Sequence, residues 1–325
     1  MWKWLIIILA ILILGFFGLH LLNFKKDKMI MGVSFNAETS WYLGEDPKKV
    51  LETIFKDWGF KYVRLTAQWN KIEPEAGKFD FSNLDWQLEL AKKYNAKIIL
   101  AMGQKAPRWP ECFSPDWSVK LSDAEYFSAL DNYLAKVAEH YQNNPALEVW
   151  QVENEPFLAF GEKCRALKKE NLSAEILAVK KVDGAHPVLI TDSGELSWWR
   201  DTAEAGDLFG TTLYRVVWNN YLGYFNYDWL PAAFYRFKLW LNARAPETAW
   251  VTELQAEPWL PGNKPDKTNL KEQYKSMDLA RLQKNIVYAQ KLGLPRAYLW
   301  GAEWWYWLKE QGVNDFVDYI KSLEK

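Results

Sequence analysis

The sequence predicts an α/β chain that folds as one (β/α)8 barrel, also called a TIM barrel, preceded by a single transmembrane helix. Three observations support this: an apolar run at the N-terminus, eight short apolar or β-branched runs after it, and helical patterns between those runs. Without the N-terminal run, roughly 300 of the residues remain, which is an ordinary size for one such barrel. We therefore expect a membrane anchor over residues 1–28 and one barrel domain over residues 29–325.

The alternation of strand-like and helix-like segments covers the whole domain. The eight candidate strands occupy residues 30–35, 62–65, 97–102, 148–152, 188–191, 208–213, 249–253 and 297–300. Apolar residues at helical spacing fall between them, at 47–58, 84–94, 124–141, 230–243 and 278–292. Such alternation indicates a parallel sheet covered by helices on both faces. An open doubly wound sheet is the alternative, but residues 32–37 lack the Gly-rich phosphate turn expected after its first strand.

The N-terminal apolar run spans residues 5–22 and contains one ionisable side chain, His20. Its 18 residues are enough to cross a bilayer as a helix. No small-residue cleavage pattern follows, so the run is interpreted as an uncleaved single-pass anchor rather than a removed signal peptide. Lys3 precedes the run and three lysines follow it, Lys25, Lys26 and Lys28. Taken literally, this charge bias places the domain on the cytoplasmic side.

Composition excludes several function classes. The 40 basic and 41 acidic residues nearly cancel, so the basic face needed to bind nucleic acid is not expected. With 3 scattered His and no clustered Asp at strand ends, we expect neither a metal site nor a cofactor. The chain has 20 Trp, whose indole faces stack on sugar rings, which favours a carbohydrate ligand over core packing alone. The only two cysteines, Cys112 and Cys164, are either disulfide-bonded or free.

Polar side chains that end the predicted strands carry the chemistry, because functional residues of a barrel lie at the carboxyl ends of its strands. The fourth run leads into Asn154 and Glu155, and the seventh ends at Glu253. The second run carries Arg64, and the eighth ends at Trp300. Cleavage of a glycosidic bond with retention uses two carboxyls about 5–5.5 Å apart, one protonated and one ionised. Glu155 and Glu253, at the ends of the fourth and seventh runs, supply two carboxyls for this reaction.

These motifs resemble those of a known superfamily. Asn-Glu-Pro after the fourth strand, Thr-Glu ending the seventh and Trp ending the eighth resemble the retaining barrel glycosidases that include cellulases, β-galactosidases, β-mannanases and β-xylosidases. Residues 63–110, with the stretch IEPEAGKFDF, resemble the β-galactosidase-like and β-xylosidase-like members. The resemblance extends from Gly32 to Trp300. It implies that residues 29–325 are a retaining glycoside hydrolase domain acting on a β-linked oligosaccharide or polysaccharide.

The resemblance also implies roles for individual residues. Glu155 would be the general acid/base and Glu253 the nucleophile. Arg64 would lie beneath Glu253 and keep it ionised. Glu257, which also precedes a proline, is a rival nucleophile, but only Glu253 ends an apolar run. Asn154 would hydrogen-bond the substrate 2-hydroxyl, and Tyr214 would hydrogen-bond Glu253. Trp300 would form the floor of the −1 subsite.

Other positions are weaker candidates for sugar binding. Many members of the superfamily carry a His near the end of strand three or six, and this chain has none there, so Gln104 is expected to take part of that role. Trp69 and Trp109 are candidate stacking platforms, with core packing as the alternative. The cluster after the eighth strand either lines a subsite or packs a helix start; its members are Glu303, Trp304, Trp305 and Trp307.

Two other functions use the same barrel. A transglycosylase shares the covalent intermediate but excludes water, and a non-catalytic membrane-anchored barrel only binds glycan. The chain has both carboxylates, which argues against the non-catalytic barrel. A glycan-degrading enzyme more often works outside the cell, which favours an extracytoplasmic domain against the lysine bias around the anchor. The sequence leaves open the sugar, its linkage, endo or exo action, and the oligomeric state.

Overall fold

A closed barrel of eight parallel strands forms the body of the protein. The computed structural model describes residues 2–25, 28–262 and 264–323, so Lys26 and Asp27, beside the expected domain boundary, lie outside the described residues. Around the barrel the strands follow the order β1-β10-β9-β6-β5-β4-β3-β2, and β7 and β8 form a separate antiparallel hairpin. Their bounds are β1 (Ile30–Ser34), β2 (Tyr62–Thr66), β3 (Lys97–Met102), β4 (Leu147–Val152), β5 (Val188–Asp192), β6 (Leu208–Leu213), β7 (Val216–Asn219), β8 (Gly223–Asn226), β9 (Ala249–Gln255) and β10 (Arg296–Trp300).

Helices surround the barrel, and short 3-10 turns occur at Asp116–Lys120, Pro246–Thr248 and Pro265–Lys267. The helices of the described residues are α1 (Trp2–Leu21), α2 (Ala37–Tyr42), α3 (Pro47–Lys56), α4 (Trp69–Ile72), α5 (Ser82–Lys93), α6 (Asp123–Tyr141), α7 (Lys169–Val182), α8 (Ala232–Leu241), α9 (Leu270–Gln273), α10 (Leu279–Lys291), α11 (Ala302–Glu310) and α12 (Asp315–Leu323). The barrel prediction is confirmed, and the open-sheet alternative is wrong because β1 pairs with β10 and closes the sheet.

All eight predicted barrel strands are present, with ends that differ by no more than two residues. The five predicted helices correspond to α3, α5, α6, α8 and α10. Asn95 and Gly293 end α5 and α10 with positive φ angles of 52° and 66°. At Gly293 a Cβ atom would lie 1.9 Å from the carbonyl oxygen of Phe24, so only glycine fits there. The hairpin β7–β8 was not predicted, because its alternation is short and lies inside a loop.

Two apolar layers hold the barrel together. A small cluster combines residues of five strands: Ile99, Val149, Leu189, Trp250 and Tyr298. A much larger cluster packs the outer faces of the strands against the helices. The strands are therefore buried on both faces, which explains why they read as continuous apolar runs. Polar side chains are buried at their carboxyl ends, where the site lies.

Helix α1 stands apart from the barrel over most of its length. Among the described residues, one helix, Trp2–Leu21, is both long enough and apolar enough to cross a membrane. Membrane anchors and signal sequences share this property. Its last turns contact α8, and the ring centroids of Phe16 and Trp229 are 6.2 Å apart. Beyond α1, the backbone N–H of Phe24 donates to the carbonyl of Lys291 at 3.0 Å.

Candidate active site

A cavity of about 1320 Å³ opens at the carboxyl ends of the barrel strands. Glu155 and Glu253 both line it, together with Tyr214 and Trp300. Glu155 and Tyr214 follow β4 and β6, and Glu253 and Trp300 lie near the carboxyl ends of β9 and β10, which parallel topology directs to one end of the barrel. The structure thus brings four of the residues selected from the sequence into one cavity.

Glu253 is held from two directions. Arg64 Nη1 donates to Glu253 Oε1 at 2.7 Å, and the Tyr214 hydroxyl donates to Oε2 at 2.8 Å. Arg64 is 1% exposed and Glu253 5% exposed, so the ion pair is buried. Both carboxylate oxygens therefore accept a hydrogen bond within the protein, one of them from a cation.

Arg64 also organises its neighbours. Its Nε donates to Gln151 Oε1 at 2.7 Å, and its Nη2 donates to Asn154 Oδ1 at 2.8 Å. Gln151 and Thr191 approach the same Asn154 oxygen at 3.3 Å each. The amide of Asn154 is oriented by these contacts, and within the described residues its NH2 group has no protein acceptor. Asn154 can therefore donate to a bound molecule.

Glu155 lies in a strained segment at the end of β4. Its φ is 47° and that of Glu153 is 61°, both in the left-handed region that is costly for a non-glycine residue. Its backbone N–H donates to Thr191 Oγ1 at 3.1 Å, and Thr212 Oγ1 donates to Glu155 Oε1 at 3.3 Å. Thr212 is the residue that pairs in register with Glu253 on β9. This pairing places the side chain of Glu155 beside the strand that carries Glu253.

The two carboxyls differ in electrostatic environment. Burial raises the pKa of Glu155 well above its ordinary value, and the negative charges of Glu253 and Glu111 raise it further. Lys105 opposes the shift without cancelling it. Unlike Glu253, Glu155 accepts no hydrogen bond from an arginine or tyrosine among the described residues. Glu155 is consequently suited to hold a proton at neutral pH, while Glu253 is paired with a cation.

Trp300 lies in the cavity wall, but one of its faces is covered. The guanidinium of Arg108 lies 4.2 Å from the centroid of the Trp300 ring, and Trp300 Nε1 donates to Glu257 Oε1 at 2.9 Å. Arg108 also pairs with Glu257, and with Glu303 at 2.7 Å. The rival carboxylate Glu257 is thus tied into this cluster rather than held by Arg64. Trp300 is 7% exposed, so only a small part of its ring opens to the cavity.

The remaining sequence candidates separate into two groups. Trp109 is 57% exposed and lies on the rim of the cavity. Trp69 is fully buried, stacked on Tyr133, and donates to Glu73 at 2.8 Å. Gln104 is also buried: its Nε2 donates to the Arg165 carbonyl at 3.0 Å, and its Oε1 accepts from Tyr126 at 2.8 Å. Neither Trp69 nor Gln104 reaches the cavity.

The cluster after β10 divides in the same way. Trp304 lines the cavity and donates to Gln273 at 2.6 Å. Glu303 is fully buried and paired with Arg108. Trp305 is buried with its Nε1 on the Ala256 carbonyl, and Trp307 packs partly buried against the core. Most of this cluster therefore packs the start of α11.

Three buried carboxyls of this region were not selected from the sequence. Glu153 accepts from the backbone N–H groups of Gln104 and Lys105, and burial raises its pKa to about 7. Burial likewise raises the pKa of Glu111 to about 8 and that of Glu195 to about 7, and both side chains line the cavity. Each follows a strand, but within loops where sequence spacing carries no signal.

A disulfide links the loops after β3 and β4. Cys112 and Cys164 are bonded, with Cα atoms 5.2 Å apart and a sequence separation of 52. Of the two states that the sequence left open, the structure has the bonded one. The bond restrains the loop that carries Arg108 and Glu111 against the segment after Glu155. It therefore limits the motion of one side of the cavity.

Comparison with known structures finds barrels of the same kind. A GH5_18 protein from Streptomyces cattleya in complex with GlcNAc superposes with a TM-score of 0.60 and 13% identity, covering 84% of this chain and 70% of that one. Xylanase 10B from Thermotoga maritima gives 0.55 and 16%, covering 84% and 82%. At these identities the likeness shows the fold alone.

Sequence relatives with curated names match a part of the chain. β-Galactosidase BgaH of Haloferax lucentense is 30% identical over 115 residues, which are 30% of this chain and 17% of the relative. β-Galactosidase LacZ of Heyndrickxia coagulans is 25% identical over 149 residues, 40% of this chain and 22% of the relative. The chain thus aligns with about a fifth of the length of these relatives.

The family profile named "Cellulase (glycosyl hydrolase family 5)" matches residues 25–240. This range covers two thirds of the chain and includes Arg64, Asn154, Glu155 and Tyr214, but ends before Glu253. From this match, the chain belongs to the cellulase family, glycosyl hydrolase family 5.

Proposed function

We propose that the protein is a retaining glycoside hydrolase of β-linked glycans, with Glu155 as general acid/base and Glu253 as nucleophile. One observation carries the proposal: two buried carboxyls of one cavity are held in opposite ways. Glu253 pairs with Arg64, whereas burial and neighbouring charge raise the pKa of Glu155. A double displacement needs this division into an ionised nucleophile and a protonated acid.

The first half-reaction uses both groups. Glu253 Oε attacks the anomeric carbon while the glycosidic C–O bond breaks, and the Glu155 proton passes to the departing oxygen. In the second half-reaction Glu155, now ionised, takes a proton from water. The resulting hydroxyl attacks the anomeric carbon, and the bond to Glu253 breaks. Acid and base are therefore the same residue, as retention requires.

The surrounding residues act as positioning groups in this proposal. Tyr214 and Arg64 hold the Glu253 carboxylate through one hydrogen bond to each oxygen. The NH2 group of Asn154 donates to the substrate 2-hydroxyl, since Arg64 fixes its other end. Trp300 contacts the sugar through the part of its ring that lines the cavity, and Trp109 offers a stacking surface at the rim. Trp69 and Gln104 are not assigned to substrate binding, because their polar groups are hydrogen-bonded within the protein.

The substrate proposal begins with galactosides. The two relatives described above are named β-galactosidases, and they align with up to 40% of this chain. We therefore place aryl β-galactosides first in a screen that continues with aryl β-glucosides, β-mannosides and β-xylosides. Products analysed with and without an added sugar acceptor distinguish hydrolysis from transglycosylation on the same covalent intermediate.

Azide rescue tests the nucleophile. Glu253→Gly is expected to lose turnover of the aryl glycoside, and azide is expected to restore it with formation of an α-glycosyl azide. The matched control is Glu257→Gly, the rival carboxylate just after the same strand, which azide should not rescue. Circular dichroism establishes that both variants are folded. Rescue of Glu257→Gly, or failure to rescue a folded Glu253→Gly, would overturn the assignment.

We further propose that the domain lies outside the cytoplasm. The disulfide between Cys112 and Cys164 supports this, because such bonds persist in oxidising compartments. The disulfide argues against the cytoplasmic placement that the lysines around α1 indicate. One of these lysines, Lys26, lies outside the described residues. Protease protection in intact cells tests the proposal, with lysed cells as the control. Full resistance of the domain before lysis would contradict it.

A further inference from the structure

Exposed large apolar side chains concentrate at the mouth of the barrel. Beyond α1 and the segment that follows it, eight of them lie in the connections that follow β1, β3, β5 and β6, α2 included: Trp41, Tyr42, Trp109, Val119, Leu196, Tyr221, Leu222 and Trp229. We call this set the mouth rim. Tyr221 and Leu222, at the tip of the β7–β8 hairpin, are 96% and 69% exposed. Apolar groups clustered in this way mark a contact surface.

The described loops at the opposite end of the barrel lack such side chains. Within the described residues, no large apolar side chain is exposed in the loops that lead from helices into strands, at 57–61, 94–96, 142–146, 183–187, 242–248 and 292–295. The other exposed apolar residues lie on α7, α8 and α10 and at Trp198, whose carbonyl accepts from Asn242 at the end of α8; of these, Trp240 and Leu241 belong to the last turn of α8. The two ends of the barrel therefore differ in polarity, and the apolar one surrounds the cavity.

Helix α1 points in the same direction. Phe16 contacts Trp229, just before α8 begins at the mouth, whereas Phe24 contacts Arg236 in the middle of α8 and Lys291 near the opposite end. The chain from Phe16 to Phe24 thus runs away from the mouth. Residues 2–15, at about 1.5 Å per residue, extend roughly 20 Å past the mouth end. Their described side chains are exposed and apolar apart from Lys3.

We propose that the mouth of the barrel faces the bilayer that receives α1, and that the substrate is a glycan attached to a lipid of that bilayer. The second part rests on the proposed glycosidase function. Trp and Tyr side chains favour the interface between lipid and water, which is the chemistry that the mouth rim presents. A cavity opening inside this rim is positioned to take a sugar headgroup.

The β7–β8 hairpin links the mouth rim to the cavity. Tyr221 and Leu196 belong both to the mouth rim and to the cavity lining. A membrane that contacts the rim would therefore lie next to the entrance of the cavity, and a headgroup sugar would need to travel only the depth of the cavity to reach Glu155 and Glu253. The aromatic side chains of the rim would also stack on a polymer free in solution, but for such a substrate the aliphatic members Val119, Leu196 and Leu222 would expose apolar surface to water without benefit.

Energy transfer from labelled cysteines to a lipid acceptor tests the orientation without using catalysis. The full chain is reconstituted in phosphatidylcholine–phosphatidylglycerol vesicles that contain a rhodamine lipid. A donor is attached at Tyr221→Cys on the mouth, at Asn143→Cys on the opposite end, or at Trp240→Cys on the exposed flank of α8. The native cysteines are bonded and do not react without reductant.

We expect transfer to be strongest from position 221 and weakest from position 143. Equal transfer from these two positions, or the strongest transfer from position 240, would overturn the proposal, the latter because the barrel would then lie on its side. Absence of transfer from every position, as in the detergent control, would overturn it as well.

A second measurement tests the substrate class. The sugar selected by the aryl glycoside screen is presented free and as a lipid conjugate in the same vesicles, at equal bulk concentration. We expect the conjugate to be hydrolysed at least about tenfold faster. Leu222→Ser should lower this ratio and leave aryl glycoside turnover unchanged, while Leu177→Ser on α7 serves as the matched control.

The two failures are distinguishable. An equal rate on free and lipid-linked sugar would refute the lipid-linked substrate while leaving the glycosidase function intact. No turnover of any glycoside would refute the glycosidase function, and the energy-transfer order would still decide how the mouth is oriented.

Discussion

Replacing Arg64 with Met removes the cation that holds Glu253 in the cavity wall. The Met side chain retains much of the aliphatic volume but none of the five N–H donors of the guanidinium. Glu253 then keeps Tyr214 as its hydrogen-bond donor among the described residues, and the oxygens of Gln151 and Asn154 lose the donors that orient them. The charge of Glu253 remains buried without its counter-ion.

The expected cost follows from burial. The Arg64 and Glu253 side chains are 1% and 6% exposed, so water cannot compensate for the lost partner. Removing one member of a buried ion pair costs about 3–5 kcal/mol. Glu253→Gln leaves the charge of Arg64 buried without its partner, and its expected cost in unfolding free energy is in the same range. The double variant Arg64→Met/Glu253→Gln leaves no charge behind, so it should be more stable than the sum predicts by about 2–3 kcal/mol.

Urea unfolding, followed by circular dichroism and tryptophan fluorescence, measures all four proteins, and coincident transitions establish two-state behaviour. The control is Arg296→Met, which breaks the bidentate pair with Glu148 at the other end of the barrel. That pair is 16% and 27% exposed and so is reached by water more than the Arg64–Glu253 pair, and its loss should cost less. Additivity of the two single variants within about 0.5 kcal/mol would refute the reasoning.

Three other predictions concern the same cavity. Because burial and the charge of Glu253 raise the pKa of Glu155, the acid keeps its proton to higher pH; the alkaline limb of kcat/KM should lie above the ordinary glutamate value of about 4.3, and a limb at that value would contradict the assignment. Tyr214→Phe removes a hydrogen bond to a charged acceptor, worth about 1.5–3 kcal/mol, so kcat/KM should fall about 10- to 160-fold; a change below about twofold would argue against it. The disulfide closes a span of 52 residues, so dithiothreitol should lower unfolding stability by up to about 4 kcal/mol; Cys112→Ser/Cys164→Ser, the control, should not respond, and an unresponsive wild type would contradict the estimate.

Residues at strand ends were accessible to sequence reasoning because parallel topology converts order in the chain into position in space. Arg64, Asn154, Glu155 and Glu253 each follow or occupy an apolar run, and a closed barrel brings all such positions to one end. The alternation of runs and helices was enough to predict closure. The same logic preferred Glu253 over Glu257, and in the structure only Glu253 contacts Arg64.

Side chains in loops were not accessible in this way. Arg108 crosses from the loop after β3 to Glu257 and Glu303, contacts separated by 149 and 195 residues. Gln104 follows β3 directly, as a site residue would, yet its side chain turns into the protein because Tyr126 and the Arg165 carbonyl satisfy it. Loop direction depends on such long-range partners, for which local sequence contains no periodicity.

The sequence by itself determined the barrel, the apolar N-terminal helix and the strand-end positions of Glu155 and Glu253, because burial periodicity and parallel topology are properties of the chain order. Only the tertiary structure decided which loop residues reach the cavity, that Cys112 bonds Cys164, and that Arg108 covers one face of Trp300. It also identified the groups that raise the pKa of Glu155, since that shift arises from burial and from the charges of Glu253 and Glu111 on other segments of the chain. Desolvation and charge proximity depend on distances in space, which distance along the chain does not specify.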